Sequence, residues 1–310
     1  MKPIRFIGLC AGLFLAACSP EIEPATIIED NPYLSAADKV VTLDGDRVRY
    51  RVDGPADAPT LIMLHGFTDS LNGWDRLASA LDDEYRIIRP DLPGHGLSGM
   101  NGSGDYSNEA LAKFVGAFIK ETTDSPPILI GNSLGGLAAW HVAADDPDAI
   151  AALVLIAPGG VPHNGIGETP VEVPAMLRFY LSKAPEAGVR AALRAMYGDP
   201  DLLDEADIAR FVALMRQPGN GEAFTARAAQ FTLPDPMSDL AQITAPTLII
   251  WGEADGVLPP AYSEIFDTAI ADSRVLRLPG VGHLPQAEAA DEVAAAIRAF
   301  SATLRAPETP

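Results

Sequence analysis

Cysteine is nearly absent from this chain of 310 residues, with only Cys10 and Cys18 present. Two are too few to staple a fold with disulfides or to build a cysteine-rich zinc site. Histidine is sparse as well. His65, His95, His141, His163 and His283 stand singly, with no His/Cys or His/Glu cluster at ligand spacing, so no metal and no cofactor is expected. Basic charge is short too: 22 Lys and Arg against 42 Asp and Glu leave a formal net charge of −20. That field would repel a phosphate backbone, which excludes nucleic acid as a partner. Apolar side chains are plentiful, at 48% hydrophobic against 21% charged. A sizeable core can form, and the disordered class is excluded.

The N-terminus reads as an export signal. Lys2 and Arg5 are followed by an almost wholly apolar stretch up to Ala17, too short for a comfortable membrane span. It ends in Leu15-Ala16-Ala17-Cys18, then Ser19-Pro20, which resembles a bacterial lipobox. The resemblance implies removal of residues 1–17, acylation of Cys18 and anchoring to a lipid bilayer. Ser19 stands where inner-membrane lipoproteins of this type often carry Asp, so the outer membrane, facing the periplasm, is the expected address. Residues 18–38, rich in Pro, Glu and Asp near their start, read as a tether.

Beyond the tether, apolar strand runs alternate with helical stretches. Val40–Leu43 and Arg47–Val52 flank Asp44-Gly45, a hairpin signal. Short continuous apolar runs follow at Leu61–Leu64, Tyr85–Ile88, Ile128–Ile130, Leu153–Ile156, Thr247–Trp251 and Val275–Leu278. Such runs suit strands buried on both faces of a parallel sheet. Helices are expected over Trp74–Leu81, Asn108–Thr122, Leu134–Ala144, Tyr262–Ala271 and Asp291–Leu304. The pattern predicts one α/β domain, a doubly wound, mostly parallel sheet of eight strands, formed by residues 39–158 and 237–305. Residues 159–236 carry no convincing strand. Helical pieces around Val173–Leu181, Gly188–Met196 and Ile208–Met215 predict a helical cap inserted after the sixth strand, over the strand ends where open α/β sheets bind ligands. Its apolar residues Val171, Val173, Met176, Leu177, Phe179 and Tyr180 read first as core between cap and sheet, and second as pocket lining.

One motif carries chemistry. Ile128 to Gly136 reads strand, Gly131-Asn132-Ser133-Leu134-Gly135, then helix. A sharp strand-to-helix turn with serine at its apex needs small residues two before and two after, and it leaves the hydroxyl beside a helix N-terminus. The chain also carries Gly94-His-Gly-Leu-Ser-Gly99, which matches a dinucleotide fingerprint after a strand. A true fingerprint opens directly into a helix, whereas a polar loop follows here, so no NAD is expected.

With the elbow, the chain resembles the α/β-hydrolase fold family from Val40 to Leu304. The supporting motifs are His65-Gly66-Phe67, Asp91-Leu-Pro-Gly-His95-Gly-Leu-Ser98, Trp251-Gly-Glu-Ala-Asp255 and Gly280-Val-Gly-His283, in the family's Ser…Asp…His order. The resemblance implies Ser133 as nucleophile, His283 as general base, and oxyanion donors in the Phe67 and Leu134 backbone N–H groups. Of the five histidines, His283 alone lies in a loop just past a strand and after the acid. For the acid the residues leave Asp255 and Glu253; the family's position implies Asp255. The activity implied is hydrolysis of a small or medium acyl or aryl ester through an acyl-enzyme. Two alternatives stay open. C–C hydrolases of ring-cleavage products share this elbow but commonly place Trp after the histidine, where this chain has Leu284. A non-catalytic ligand-binding or sensing member of the fold is the other.

Overall fold

The computed structural model describes residues 31–304. The expected leader, the lipobox with Cys18, most of the tether and residue 305 lie outside the described residues. Among those described, no helix is long and apolar enough to cross a membrane.

Strands β1 (Asp38–Leu43) and β2 (Asp46–Asp53) form the expected hairpin. Its two-residue loop places Asp44 at φ 51 and Gly45 at φ 92, the left-handed pair that matches the twist of the strands. There follow β3 (Thr60–Leu64), α1 (Asp75–Ser79) entered through a 3-10 turn, β4 (Arg86–Pro90) and α2 (Asn108–Thr122). Next come β5 (Ile128–Asn132), α3 (Leu134–Asp145) and β6 (Ala152–Ile156). The sheet resumes at β7 (Thr247–Gly252) and β8 (Ser273–Leu278).

The eight strands form one sheet in the order β1-β2-β4-β3-β5-β6-β7-β8. Pairs β1·β2 and β2·β4 are antiparallel, and every pair from β4·β3 to β7·β8 is parallel. The inner parallel strands were readable as apolar runs because both faces are covered; β8, expected to be buried on both faces, is instead an edge strand with Val275 exposed and Arg274 and Arg277 breaking the run. Ile62 and Leu64 face a core built with α2 and α3, while Leu61 and Met63 face a second one with Trp74, Leu77 and Val293.

Between β6 and β7 lie α4 (Ala175–Lys183), α5 (Glu186–Met196), α6 (Glu205–Met215), α7 (Asn220–Gln230) and α8 (Met237–Leu240). They have their own apolar centre around Leu181, Val189, Leu193, Ile208, Val212 and Phe224. After β7 come α9 (Ser263–Ala269), α10 (Pro285–Glu288) and α11 (Ala290–Leu304).

Three further details differ from the sequence reading. Helix α7 was not anticipated. Met176 and Phe179, expected in the core, are 78% and 54% exposed. The end of the expected tether is bonded to the domain: Tyr33 O accepts from Arg49 Nη2 at 2.6 Å, and Asp38 opens β1, where it pairs with Arg49 and Arg51. Two cations crowded on β2 draw that segment onto the sheet.

Candidate active site

The chain turns from β5 into α3 at Ser133, which holds φ 52 and ψ −113, a strained backbone for a residue with a side chain. The flanking glycines make it sterically feasible. A Cβ on Gly131 would overlap the Gly135 carbonyl, and one on Gly135 would overlap the Leu64 carbonyl. The apical hydroxyl is thereby set at the N-terminal end of α3, where helix N–H groups favour negative charge.

His283, in the loop between β8 and α10, places Nδ1 2.8 Å from Asp255 Oδ2. Both side chains are almost wholly withdrawn from solvent, at 3% and 0% exposure. The carboxylate is fully used: Oδ1 accepts the Val257 and Leu258 N–H groups at 2.8 and 2.9 Å, and Oδ2 also accepts Trp251 Nε1 at 3.1 Å. Glu253, two residues earlier, is exposed. The His283 loop is fixed from two sides. Its N–H donates to Met196 O at 2.6 Å, and its carbonyl accepts Asn132 Nδ2 at 3.2 Å. Asn132, the residue before the serine, thus ties the elbow to the histidine loop, a role its place in the motif did not reveal.

Of the other histidines, only His163 also lines the cavity that holds Ser133 and His283. His65 Nε2 accepts the Leu92 N–H at 3.0 Å and Nδ1 lies 2.8 Å from Gly66 O, which fixes the neutral tautomer with its proton on Nδ1. Burial holds its pKa below the ordinary value. His95, packed against His65 and Phe224, is held well below it, again by burial. His141 stacks on Trp140. His163 lies 3.4 Å from the Tyr262 hydroxyl.

The loop after β4 matching the dinucleotide pattern serves the fold. Asp91 pairs with buried Arg49 at 2.9 Å and accepts the Leu71 and Leu97 N–H groups at 2.8 Å each, and the next helix begins only at Asn108.

Ser133 and His283 line one cavity of about 430 Å³, together with Phe67 and Leu134. Among the described residues the Phe67 and Leu134 N–H groups have no backbone acceptor. The walls are mostly apolar. Leu137 and Val161 come from the sheet side, and Val173, Leu177, Tyr180 and Phe231 from the segment inserted between β6 and β7. Val171, Val173, Leu177 and Tyr180 therefore do line the pocket, while Met176 and Phe179 of the same segment point outward. A hydroxyl, an imidazole bonded to a carboxylate, and backbone donors around an apolar space can together perform nucleophilic acyl transfer.

One further wall residue is unusual. Asp69 is buried, and burial pushes its carboxyl from 3.8 up to about 7, against the pull of Arg210 and of the Ser70 N–H. A carboxyl raised in the folded state stabilises the fold below its unfolded value of 3.8 and loses that contribution as pH rises through about 7. Asp69→Asn, which cannot ionise, is therefore expected to match the wild type near pH 4 and to exceed its stability at pH 8. The margin is at most about 4 kcal/mol. Urea unfolding of both proteins at the two pH values measures it, and equal margins at both would remove the charge as the cause.

A sequence profile of the alpha/beta hydrolase fold matches residues 59–290, and the chain belongs to that family. It is 28% identical over 274 residues to Lipase 1 of Psychrobacter immobilis, covering 86% of this chain and 85% of that one. It is 26% identical over 252 residues to the 2-hydroxy-6-oxo-6-phenylhexa-2,4-dienoate hydrolase of Comamonas testosteroni, covering 79% and 87%. Among solved structures it resembles a bacterial membrane phospholipase A with a TM-score of 0.73 and 25% identity, over 86% of each chain.

Proposed function

We propose that this chain is a serine hydrolase that cleaves small or medium acyl or aryl carboxylic esters through an acyl-enzyme. The observation that carries the reading is the His283–Asp255 pair at 2.8 Å opening on the same apolar cavity as the strained Ser133. Ser133 Oγ attacks the ester carbonyl as His283 Nε2 takes its proton. The Phe67 and Leu134 N–H groups hold the oxyanion, and His283 returns the proton to the departing alkoxide. Water then repeats the sequence on the acyl-enzyme and frees the acid. Asp255 keeps the His283 proton on Nδ1, so that Nε2 is the free base.

A cavity of about 430 Å³ suits a small or medium ester. The chain acts while anchored to the bilayer through acylated Cys18, exported and facing the periplasm from the outer membrane. The lipase relative supports the ester; the dienoate hydrolase relative supports C–C cleavage as a second reading, against which stands Leu284 after the histidine.

Labelling with a fluorophosphonate, together with turnover of p-nitrophenyl esters of graded chain length, tests the proposal. Labelling with turnover of short or medium esters is expected. Labelling without ester turnover would shift the reading to C–C cleavage. Neither, in folded protein, would make this a binding member of the fold, and activity confined to long-chain triglyceride emulsions would overturn the substrate size. Intact mass of the membrane-extracted protein and its Cys18→Ser variant tests the anchor, with the diacylglyceryl mass expected only in the former.

A further inference from the structure

A second, smaller cavity of about 40 Å³ lies against the catalytic one. The two share Asp69, Phe211 and Leu284 as a common wall, and Leu284 directly follows His283. The small one has the more polar lining of the two. The catalytic cavity is mostly apolar, whereas three polar atoms of side chains lining the small one are buried with no hydrogen-bond partner among the described residues: Asn72 Oδ1, Gln286 Oε1 and Arg210 Nε. Asn72 and Gln286 are 8% and 2% exposed. Two acceptors and a donor left unpaired would each carry the desolvation cost of a buried polar group. A space of this size holds one to a few waters, and each needs two to four polar partners. At its outer edge stand Asp75 and Arg76, whose side chains are 43% and 42% exposed. The small cavity therefore reaches from half-exposed residues inward to Leu284, the residue after His283, and Asp69 is the one polar residue of the wall it shares with the catalytic cavity.

We propose that this side cavity holds ordered water and delivers the water that hydrolyses the acyl-enzyme, so that Asn72, Gln286 and Arg210 are positioning residues for deacylation. The inference rests on the acyl-enzyme reading given above. The acyl group bound to Ser133 fills an apolar space that water enters poorly, while the deacylating water must reach His283 Nε2 to give up its proton. In that step water oxygen bonds to the acyl carbon, its proton passes to His283, and the Ser133 ester bond breaks with return of that proton to Oγ. Supply from the side lets acyl chain and water arrive by separate routes.

The test uses Gln286→Met and Asn72→Leu, each similar in shape to the residue replaced and without its polar acceptor. Rapid-mixing kinetics with a p-nitrophenyl ester separate the first-turnover burst (acylation) from the steady rate. The expected result is an unchanged burst, a steady rate lower by about tenfold, acyl-enzyme accumulating in the intact mass, and recovery of turnover on adding methanol, a nucleophile that enters through the main mouth. A steady rate equal to the wild type, or burst and steady rate falling together, would overturn the proposal. Wild-type protein that fails to label with fluorophosphonate would overturn the acyl-enzyme reading itself, a failure visible before any variant is made. Should both variants fail to fold, a high-resolution crystal structure of the wild type decides. Ordered waters bonded to Asn72 Oδ1, Gln286 Oε1 and Arg210 Nε are expected, and a dry cavity would end the proposal.

Discussion

Ser133→Ala is expected to lower kcat for ester hydrolysis by about 10⁴–10⁶ and to abolish fluorophosphonate labelling, with little change in melting temperature. The two halves of that result have separate causes. Activity falls because no other group at the elbow can form the acyl bond; the activity that remains comes from the oxyanion donors and binding alone. The fold persists because alanine keeps the Cβ, so the backbone at φ 52 is asked to hold nothing that serine does not already hold. Gly131 and Gly135, which permit the close approach of β5, α3 and β3, are untouched. A variant retaining more than a hundredth of the activity would show that another residue carries the chemistry. A variant that loses activity together with its cooperative melting would show only that the turn had collapsed. Circular dichroism and a thermal melt run beside the assay separate the two.

How much of this was legible beforehand depends on the range of the interaction responsible. The β1–β2 turn at Asp44-Gly45 and the elbow glycines answer to local backbone geometry, and a few adjacent residues specify them. The inner parallel strands were readable because burial on both faces demands unbroken apolar runs, as in β5 and β6. Helix α7 was hidden because its signals are tertiary. Gly219, at φ 86, stands at its start without a capping side chain, and Gln217-Pro218-Gly219 reads as loop. What holds the helix is buried Arg227, whose Nη2 donates to Asn108 Oδ1 at 2.8 Å and whose Nη1 donates to Tyr106 O, both more than a hundred residues earlier in the chain. The spatial order β2-β4-β3-β5 also depends on a crossover that no local pattern records. The same holds at the site. Ser133, Asp255 and His283 sit in motifs with recognisable surroundings, whereas Asp69, Asn72 and Gln286 are ordinary polar residues until the fold buries them around one small cavity. The outward turn of Met176 and Phe179 shows the limit of helical spacing as a guide: it says which residues share a face, and not what that face meets.

Asp255→Asn is expected to lower kcat by about 10⁴ although it changes no heavy-atom position. The reason lies in how the carboxylate is held. Oδ1 accepts two backbone N–H groups, from Val257 at 2.8 Å and Leu258 at 2.9 Å, so an asparagine must place its carbonyl oxygen there. Its amide nitrogen then occupies the Oδ2 position, 2.8 Å from His283 Nδ1 and 3.1 Å from Trp251 Nε1. A donor facing Nδ1 forces that nitrogen to accept, which moves the imidazole proton to Nε2, the atom that must take the proton of Ser133. The base is thus lost by tautomer. The carboxylate that would stabilise the imidazolium is lost with it, and the amide opposes the Trp251 N–H, a donor facing a donor, so some stability is lost as well. Glu253→Gln is the matched control: that side chain is exposed, and its activity is expected to stay within about twofold of the wild type. Steady-state rates and fluorophosphonate labelling rates for both variants check this. If Asp255→Asn kept a tenth of its activity while Glu253→Gln lost nearly all, the acid would have to be reassigned despite the 2.8 Å contact. If both fell alike, the loop after β7 would matter for its shape and not for a particular carboxylate.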